Sequence, residues 1–196
     1  MALNCEEKID ADIVKNCDEN PTAGLEVDIL IFNKSDLDYA AITEDGSNDL
    51  LITNFQLLSG KTGYLLEGIK QSNSAMEELV IKDFSNAYKH LIRGVLLNPT
   101  VANRKTLESL MSGGDYVAIV ERKWKGDSDD DAFLLLGLDA GLTALTSIWD
   151  SKESDGVETF ELASAEGYEE PKKVRSVLET NYATTSTAFG NKWIEP

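Results

Sequence analysis

Short apolar runs, separated by turn signals, divide most of the chain into strand-length segments. Residues 25–32, LEVDILIF, begin with strict apolar–polar alternation and end in a continuous apolar run, which predicts a strand. The same reasoning predicts further strands at 50–57, 63–70, 115–124, 132–138, 143–149 and 157–163. Turns are expected at 45–46, 60–63, 126–131 and 151–156, where glycine and polar residues cluster. The pattern therefore predicts a mainly β fold.

The segment between residues 75 and 97 has two interpretations. One is two longer strands, at 76–84 and 87–97, whose apolar residues include Leu79, Ile81 and Leu91. A helix over 75–95 competes with them, because periodicity does not distinguish short apolar runs in helices from those in strands. We expect the two strands.

One helix is clearly marked, at about 101–112. Thr100 or Asn103 supplies an N-cap, and glycines at 113 and 114 follow in the position that favours helix termination. The apolar side chains at helical spacing are Leu107, Leu110 and Met111. The sequence thus predicts an α+β, mainly β fold, a sandwich or barrel with one flanking helix.

The C-terminal quarter is less clear. Residues 171–182 fit a helix or a strand, and the small polar run that begins at residue 183 predicts an arm over 183–196. We expect this arm, together with extended loops at 34–49 and 126–131, to reach neighbouring subunits. No internal repeat or linker interrupts the chain, so we expect one domain over residues 1–196.

The charge of the chain is unusual in size and in distribution. The formal net charge is −17, and it is concentrated in two blocks: −10 over residues 1–50 and −12 over residues 127–170. Residues 51–126 carry +3. Binding to a phosphate backbone needs clustered Lys and Arg, so this balance argues against an ordinary nucleic-acid-binding protein.

The N-terminus has neither the basic nor the apolar region of a secretory signal, and no run approaches the roughly 20 apolar residues of a membrane helix. Cys5 and Cys17 are the two cysteines. A disulfide between them is possible, but we expect reduced or buried thiols in a chain without an export signal.

Two segments partly match known ligand-binding motifs. Ser59-Gly60-Lys61-Thr62 is similar to the end of a phosphate-binding loop, but Phe55 stands where the first glycine is required, so we expect a β-turn. Asp127, Asp129 and Asp131 match three positions of a calcium loop. Ala132 and Leu138 stand where glycine and glutamate are needed, so we favour a solvated hairpin tip over a weak cation site.

Other candidate chemistry is limited. His90 is the only histidine, so no zinc cluster or catalytic triad is expected, and we interpret it as structural. A paired-carboxylate hydrolase stays open, because acids are abundant and nothing distinguishes two of them. A small basic-aromatic patch could contact nucleic acid or an acidic neighbour, but a strand end is favoured; it comprises Arg122, Lys123, Trp124 and Lys125. We expect no cofactor.

Residues 88–142 run from a strand with an aromatic residue and His90 through a helix, a Gly-Gly pair, a long strand and a polar loop to FLLLGLDAGL at 133–142. This order resembles the tail-tube-like virion proteins of tailed bacteriophages. The opening, with Cys5, Cys17, Ala23-Gly24-Leu25 and the LIF at 30–32, is similar to such proteins as well. The resemblance covers roughly two thirds of the chain.

The resemblance implies a β-sandwich or barrel with one flanking helix and no catalytic residues. It implies a homo-oligomeric ring in the virion tail or head-to-tail neck, assembled in the host cytoplasm with other tail or connector proteins and with no membrane partner. DNA would pass through the ring without specific binding, and an acidic lumen would suit that passage. A tube protein of a contractile injection or type VI secretion system is the alternative. An acidic intracellular binding module or hydrolase is the alternative from another class.

Overall fold

The predicted strands are present, and they form two sheets. The computed structural model describes residues 11–13, 21–83, 85–126, 129–152 and 155–194. Its strands are β1 (Leu25–Asn33), β2 (Thr43–Glu44), β3 (Leu51–Asn54), β4 (Tyr64–Leu66), β5 (Ser74–Ile81), β6 (Asn86–Leu96), β7 (Tyr116–Arg122), β8 (Phe133–Leu136), β9 (Thr143–Trp149), β10 (Glu158–Ala163) and β11 (Arg175–Val177). Its α-helices are α1 (Val101–Met111) and α2 (Tyr182–Gly190). The mainly β, sandwich-like fold class is therefore confirmed.

The larger sheet, sheet 1, has the strand order β2-β3-β11-β8-β7-β1-β4. Its neighbours are antiparallel except for β3 and β11, which are parallel. Ile29 and Ile31 belong to the hydrophobic cluster on one face of this sheet, whereas Leu30 and Phe32 belong to the cluster on the other face. Burial on both faces explains why β1, β7 and β8 read as continuous apolar runs rather than alternating ones.

The smaller sheet, sheet 2, is fully antiparallel, with the strand order β5-β6-β10-β9. Its inner face packs on sheet 1 through Ile92, Phe160 and Leu162. The segment that had two interpretations is the β5–β6 hairpin, so the two-strand prediction is confirmed. Gly94 has no room for a side chain, since an added Cβ would lie 2.6 Å from Leu66 and from Phe160.

Helix α1 forms as predicted and packs beside β9. The Oγ1 atom of Thr100 accepts a hydrogen bond from the Asn103 N–H at 3.2 Å, which caps the first turn. Gly113 follows the helix with a φ of +99°, a left-handed conformation that favours glycine. Leu107 is the buried residue of the helix and joins the cluster between the two sheets.

The prediction of a C-terminal arm over 183–196 is wrong, and so is the prediction of a single helix. Residues of this segment form α2, which packs on the outer face of sheet 1 of its own chain. Phe189 and Trp193 are buried there, in edge-on contact with each other. The side chain of Asn181 accepts a hydrogen bond from the Thr184 N–H and caps the helix. Burial of the two aromatic rings offsets the weak helix propensity of the Thr and Ser residues.

One smaller expectation about a connecting segment is corrected, and a segment with two open interpretations is resolved. Residues 34–49 are not one extended loop, because they contain a 3-10 turn (Lys34–Asp36) and strand β2, which pairs with β3. Residues 171–182, which fitted a helix or a strand, contain β11. Of the hairpin predicted at 126–131, residues 127 and 128 lie outside the described residues.

Candidate assembly surface

Sheet 2 ends in two strands that have a partner on one side only. Within the described parts of the chain, β5 pairs with β6 alone and β9 pairs with β10 alone. An unpaired edge presents a row of backbone N–H and C=O groups that can bind another strand. The two edges belong to opposite sides of the same sheet and have similar lengths, eight and seven residues.

Large apolar side chains are exposed along the β5 edge. Met76 and Leu79 are each about half exposed, and Ile81 is 79% exposed. Native proteins usually protect sheet edges with charged residues or proline, and exposed apolar residues at an edge favour association. The β5 edge therefore combines this exposed apolar surface with two adjacent acids, Glu77 and Glu78, in the middle of the strand.

The β9 edge has the same character. Residues 145–149 are all exposed, among them Leu145, Ile148 and Trp149, the last at 59%. Leu145 has no partner residue in β10, because the register shifts at this point. Such a bulge bends the strand locally and re-aims its side chains. Both edges of sheet 2 thus combine unpaired backbone with exposed apolar side chains.

A groove of about 660 Å³ lies between α1 and the end of β9; we call it the α1–β9 groove. Its apolar lining includes Val101, Met111 and Trp149. Arg104 and Lys105 project from the same helix and also line the groove. Glu108 and Glu158 line it as well, so the two basic and two acidic side chains balance, and the groove is apolar with a mixed-charge rim.

A second groove, of about 740 Å³, lies between α2 and residues 54–57. Its apolar floor is Phe55, Leu57 and Trp193, which are already buried. Asn181 and Thr184, on its rim, are engaged with each other in capping α2. This groove consequently offers little unsatisfied surface to a partner.

A buried polar network fixes the loop between β8 and β9. The side chain of Glu170 is fully buried and accepts hydrogen bonds from the N–H groups of Asp139, Ala140 and Gly141 at 2.8–3.1 Å. Nδ1 of His90 accepts a hydrogen bond from the Gly137 N–H at 3.2 Å. The loop that leads into the β9 edge is therefore held by two side chains from other parts of sheet 2 and its connections.

The protonation of His90 and Glu170 follows from their burial. Burial, helped by the positive charge of nearby Arg175 and opposed by Glu77, lowers the pKa of His90 to about 4. Burial raises the pKa of Glu170, although the three backbone N–H groups favour its carboxylate form. His90 is thus a neutral, structural residue, as the sequence led us to expect, and its imidazole is not available to a partner.

Two of the three candidate cation residues, Asp129 and Asp131, belong to the part of the chain that the structure describes. Asp127 lies outside that part. Asp131 accepts a hydrogen bond from the hydroxyl of Ser176 at 3.1 Å, and Asp129 has a positive φ of 59°. No group of three His, Cys, Asp or Glu side chains that could hold a metal ion occurs among the described residues.

Other residues that the sequence singled out have local structural roles. Lys61, from the segment similar to a phosphate-binding loop, forms an ion pair with Asp36 at 2.8 Å. In the basic-aromatic patch, the guanidinium of Arg122 lies over the ring of Trp124 at 4.8 Å. Lys125 is bound to the carboxylate of Glu121. Cys5 and Cys17 lie outside the described residues.

Sequence reasoning missed Glu170 and the apolar edge residues as a group. Glu170 belongs to a run of acids, and nothing in that run distinguishes it from the exposed Glu166. Ile148 and Trp149 are the apolar pair at the end of a predicted strand, but their exposure depends on which strand lies at the edge of the sheet. That order follows from long-range pairing.

No described helix combines the length and the apolar character needed to cross a membrane. Comparison of the chain with models of protein families, with curated proteins and with solved structures found no match. The function is therefore argued from the surface itself.

Proposed function

We propose that this chain is a structural protein of a bacteriophage virion that assembles into a homo-oligomeric ring of the tail or the head-to-tail connector. Its ring surrounds a channel through which DNA passes, and its partners are further copies of itself and other tail or connector proteins. No catalytic reaction is proposed. The observation that carries the proposal is the pair of open, apolar edges of sheet 2.

The two edges suit a head-to-tail contact. In this arrangement, β5 of one copy pairs with β9 of the next, so each copy uses two different surfaces. Contacts of this kind generate a closed ring when the rotation between copies closes, and an open filament when it does not. Pairing would satisfy the free backbone groups and cover Ile81 and Trp149 in one step.

The charge distribution supports a channel for DNA. The blocks of −10 and −12 leave few places where a phosphate backbone would bind. An acidic lumen repels DNA phosphates, so the molecule would slide through without being retained. The exposed edges provide apolar contacts that hold the ring together in spite of the like charges on its subunits.

A test replaces one edge residue at a time with lysine. Ile148→Lys places a charge on the β9 edge, and Leu79→Lys places one on the β5 edge. We expect each variant to raise the concentration needed for assembly by at least about tenfold, the effect of roughly 1.4 kcal/mol per contact. Light scattering after size-exclusion chromatography measures the mass, and circular dichroism verifies folding.

Mixing the two variants tests the head-to-tail arrangement. The Ile148→Lys variant keeps an intact β5 edge, and the Leu79→Lys variant keeps an intact β9 edge. Together they should form a heterodimer that adds no further subunits, with twice the mass of the 21.5 kDa chain. The matched control is Ile194→Lys, which adds the same charge at a 55% exposed residue just after α2, on the side of sheet 1 opposite sheet 2. Edge variants that assemble as well as this control would refute the proposed contact.

A further inference from the structure

Two acidic side chains occupy the centre of the exposed β5 edge. Glu77 and Glu78 are the fourth and fifth of its eight residues, and Met76 and Leu79 flank them. An edge strand that is apolar along its whole length can pair with a second copy of itself, whereas charged residues on an edge oppose such pairing. The two acids therefore bear on which strand the β5 edge accepts.

The two acids differ in their surroundings. The carboxylate of Glu77 is bound within its own chain: it accepts a hydrogen bond from the Val174 N–H at 2.6 Å and lies 3.5 Å from Nζ of Lys173. Glu78 is exposed and belongs to the opposite face of the strand. Its cross-strand neighbour in β6 is Lys89, and these two described residues form no ion pair. Glu78 is thus the acid of this edge whose charge is not neutralised by an ion pair in the described part of the chain.

Antiparallel pairing of two β5 strands from different copies brings these acids together. A pairing that uses all eight residues places Glu77 of one copy opposite Glu78 of the other. A shift of one residue in either direction places Glu77 opposite Glu77, or Glu78 opposite Glu78. Like charges directly opposite each other destabilise a strand pair. Every nearly full-length pairing of two β5 strands is therefore opposed by charge.

The β9 edge presents no such conflict, because β9 is uncharged from Thr143 to Trp149. Neighbouring strands of sheet 2 are antiparallel, so β5 and β9, at the two ends of a four-stranded sheet, run in opposite directions. A second copy in the same orientation presents its β9 antiparallel to β5, and the hydrogen-bond pattern of the sheet continues across the contact. No acid of β5 then lies opposite another acid.

We infer that Glu78, supported by Glu77, selects the strand that the β5 edge accepts: it excludes a second β5 and leaves the uncharged β9 of another copy as the partner. The choice of β9 rests on the proposed function. The exclusion of a second β5 follows from the register and charge of β5 itself, so it holds whether or not a ring forms.

Chains with a blocked β9 edge test the exclusion. The Ile148→Lys variant has an intact β5 edge, so pairing between two β5 strands can be observed in it without ring assembly. Adding Glu78→Gln removes one charge and keeps the size of the side chain. The matched control adds Asp130→Asn instead, which removes the same charge from an exposed position between β7 and β8 of sheet 1. Sedimentation equilibrium measures self-association, and circular dichroism verifies folding.

We expect the chain with Glu78→Gln to dimerise at a concentration at least about fivefold lower than the Ile148→Lys chain or the Asp130→Asn control. Adding Leu79→Lys should abolish this dimer, which assigns the contact to β5. The difference from the control should shrink at high salt, because salt screens the repulsion that opposes pairing in the control.

Charge reversal separates the effect of charge from that of side-chain shape. The Ile148→Lys chain is mixed with the same chain carrying Glu78→Lys, so that opposite charges face each other across the contact. The mixture should form a heterodimer at a lower concentration than either component associates alone. A mixture that associates no better than its components would overturn the inference.

Two further results would overturn it: an Ile148→Lys chain that dimerises through β5 with Glu78 in place, and a Glu78→Gln chain that associates no better than the Asp130→Asn control. Failure of the proposed function gives a different result. If the parent chain stays monomeric while Glu78→Gln dimerises the blocked chain, the ring is refuted and the exclusion of a second β5 stands.

Discussion

At the scale of single residues, His90 and Glu170 show how buried ionisable groups position the loop that leads into β9. Both bind backbone N–H groups of the loop that connects β8 to β9. A buried polar group that loses its hydrogen-bond partner is costly, so the bonds to Glu170 and to Nδ1 of His90 favour one loop conformation. The start of the β9 edge is thereby placed by side chains that never contact a partner.

Protonation of His90 should weaken the fold in mild acid. The pKa of His90 is about 4 in the folded chain and about 6.5 in an unfolded chain, so the unfolded state binds more protons between these values. Its contribution to stability is therefore present above pH 6.5 and is lost as the pH falls to about 4. The difference corresponds to a loss on the order of 3 kcal/mol in the free energy of unfolding.

Urea unfolding at several pH values, compared with His90→Asn, checks this prediction. The asparagine oxygen can accept the Gly137 N–H but does not titrate. The variant should be less stable at neutral pH by about 1–3 kcal/mol, and its stability should fall less steeply than that of the parent chain between pH 6.5 and 4. The raised pKa of Glu170 acts in the opposite direction in both proteins, so the comparison isolates His90. Parallel profiles would contradict the assignment.

At the scale of elements, helix α2 belongs to the core of its own chain. Phe189 packs 5.5 Å from the ring of Phe133, and Trp193 packs 5.4 Å from the ring of Phe55. These contacts join α2 to sheet 1 on the face opposite sheet 2. The helix therefore contributes to folding before any assembly takes place.

Truncating one of these rings should destabilise the monomer. Phe189→Ala removes a buried aromatic side chain, and we expect the free energy of unfolding to fall by about 3–4 kcal/mol. The control Thr187→Ala lies on the exposed side of the same helix and should change it by less than about 0.5 kcal/mol. A loss below about 1 kcal/mol for Phe189→Ala would instead indicate a loosely attached arm.

The sequence predicted the elements whose local and tertiary preferences agree. In α1, the Thr100 cap, the Leu107 stripe and Gly113 all indicate the same helix. The prediction for the α2 segment was wrong because its Thr and Ser residues have weak helix propensity. The contacts that stabilise it are with Phe55 and Phe133, which are far away in sequence. The order of the strands could not be predicted from the sequence for a similar reason, because it depends on pairing between distant segments. The open edges of sheet 2 are therefore identified only in the folded chain.

At the scale of the whole molecule, two forces act on the proposed ring. Apolar contacts between β5 and β9 favour it, whereas the net charge of −17 on each subunit opposes it. Salt screens the repulsion between the acidic side chains that would line the lumen, so added salt should strengthen assembly. A ring held by ion pairs between the acidic blocks and the basic middle of a neighbour would respond in the opposite way.

The most direct test of the central claim is electron microscopy of the purified chain, with mass measured by light scattering, at roughly 50 mM and roughly 500 mM NaCl. We expect closed rings with a central channel, and a larger assembled fraction at the higher salt concentration. A chain that stays monomeric at both salt concentrations and at every protein concentration, or that forms particles without a channel, would contradict it.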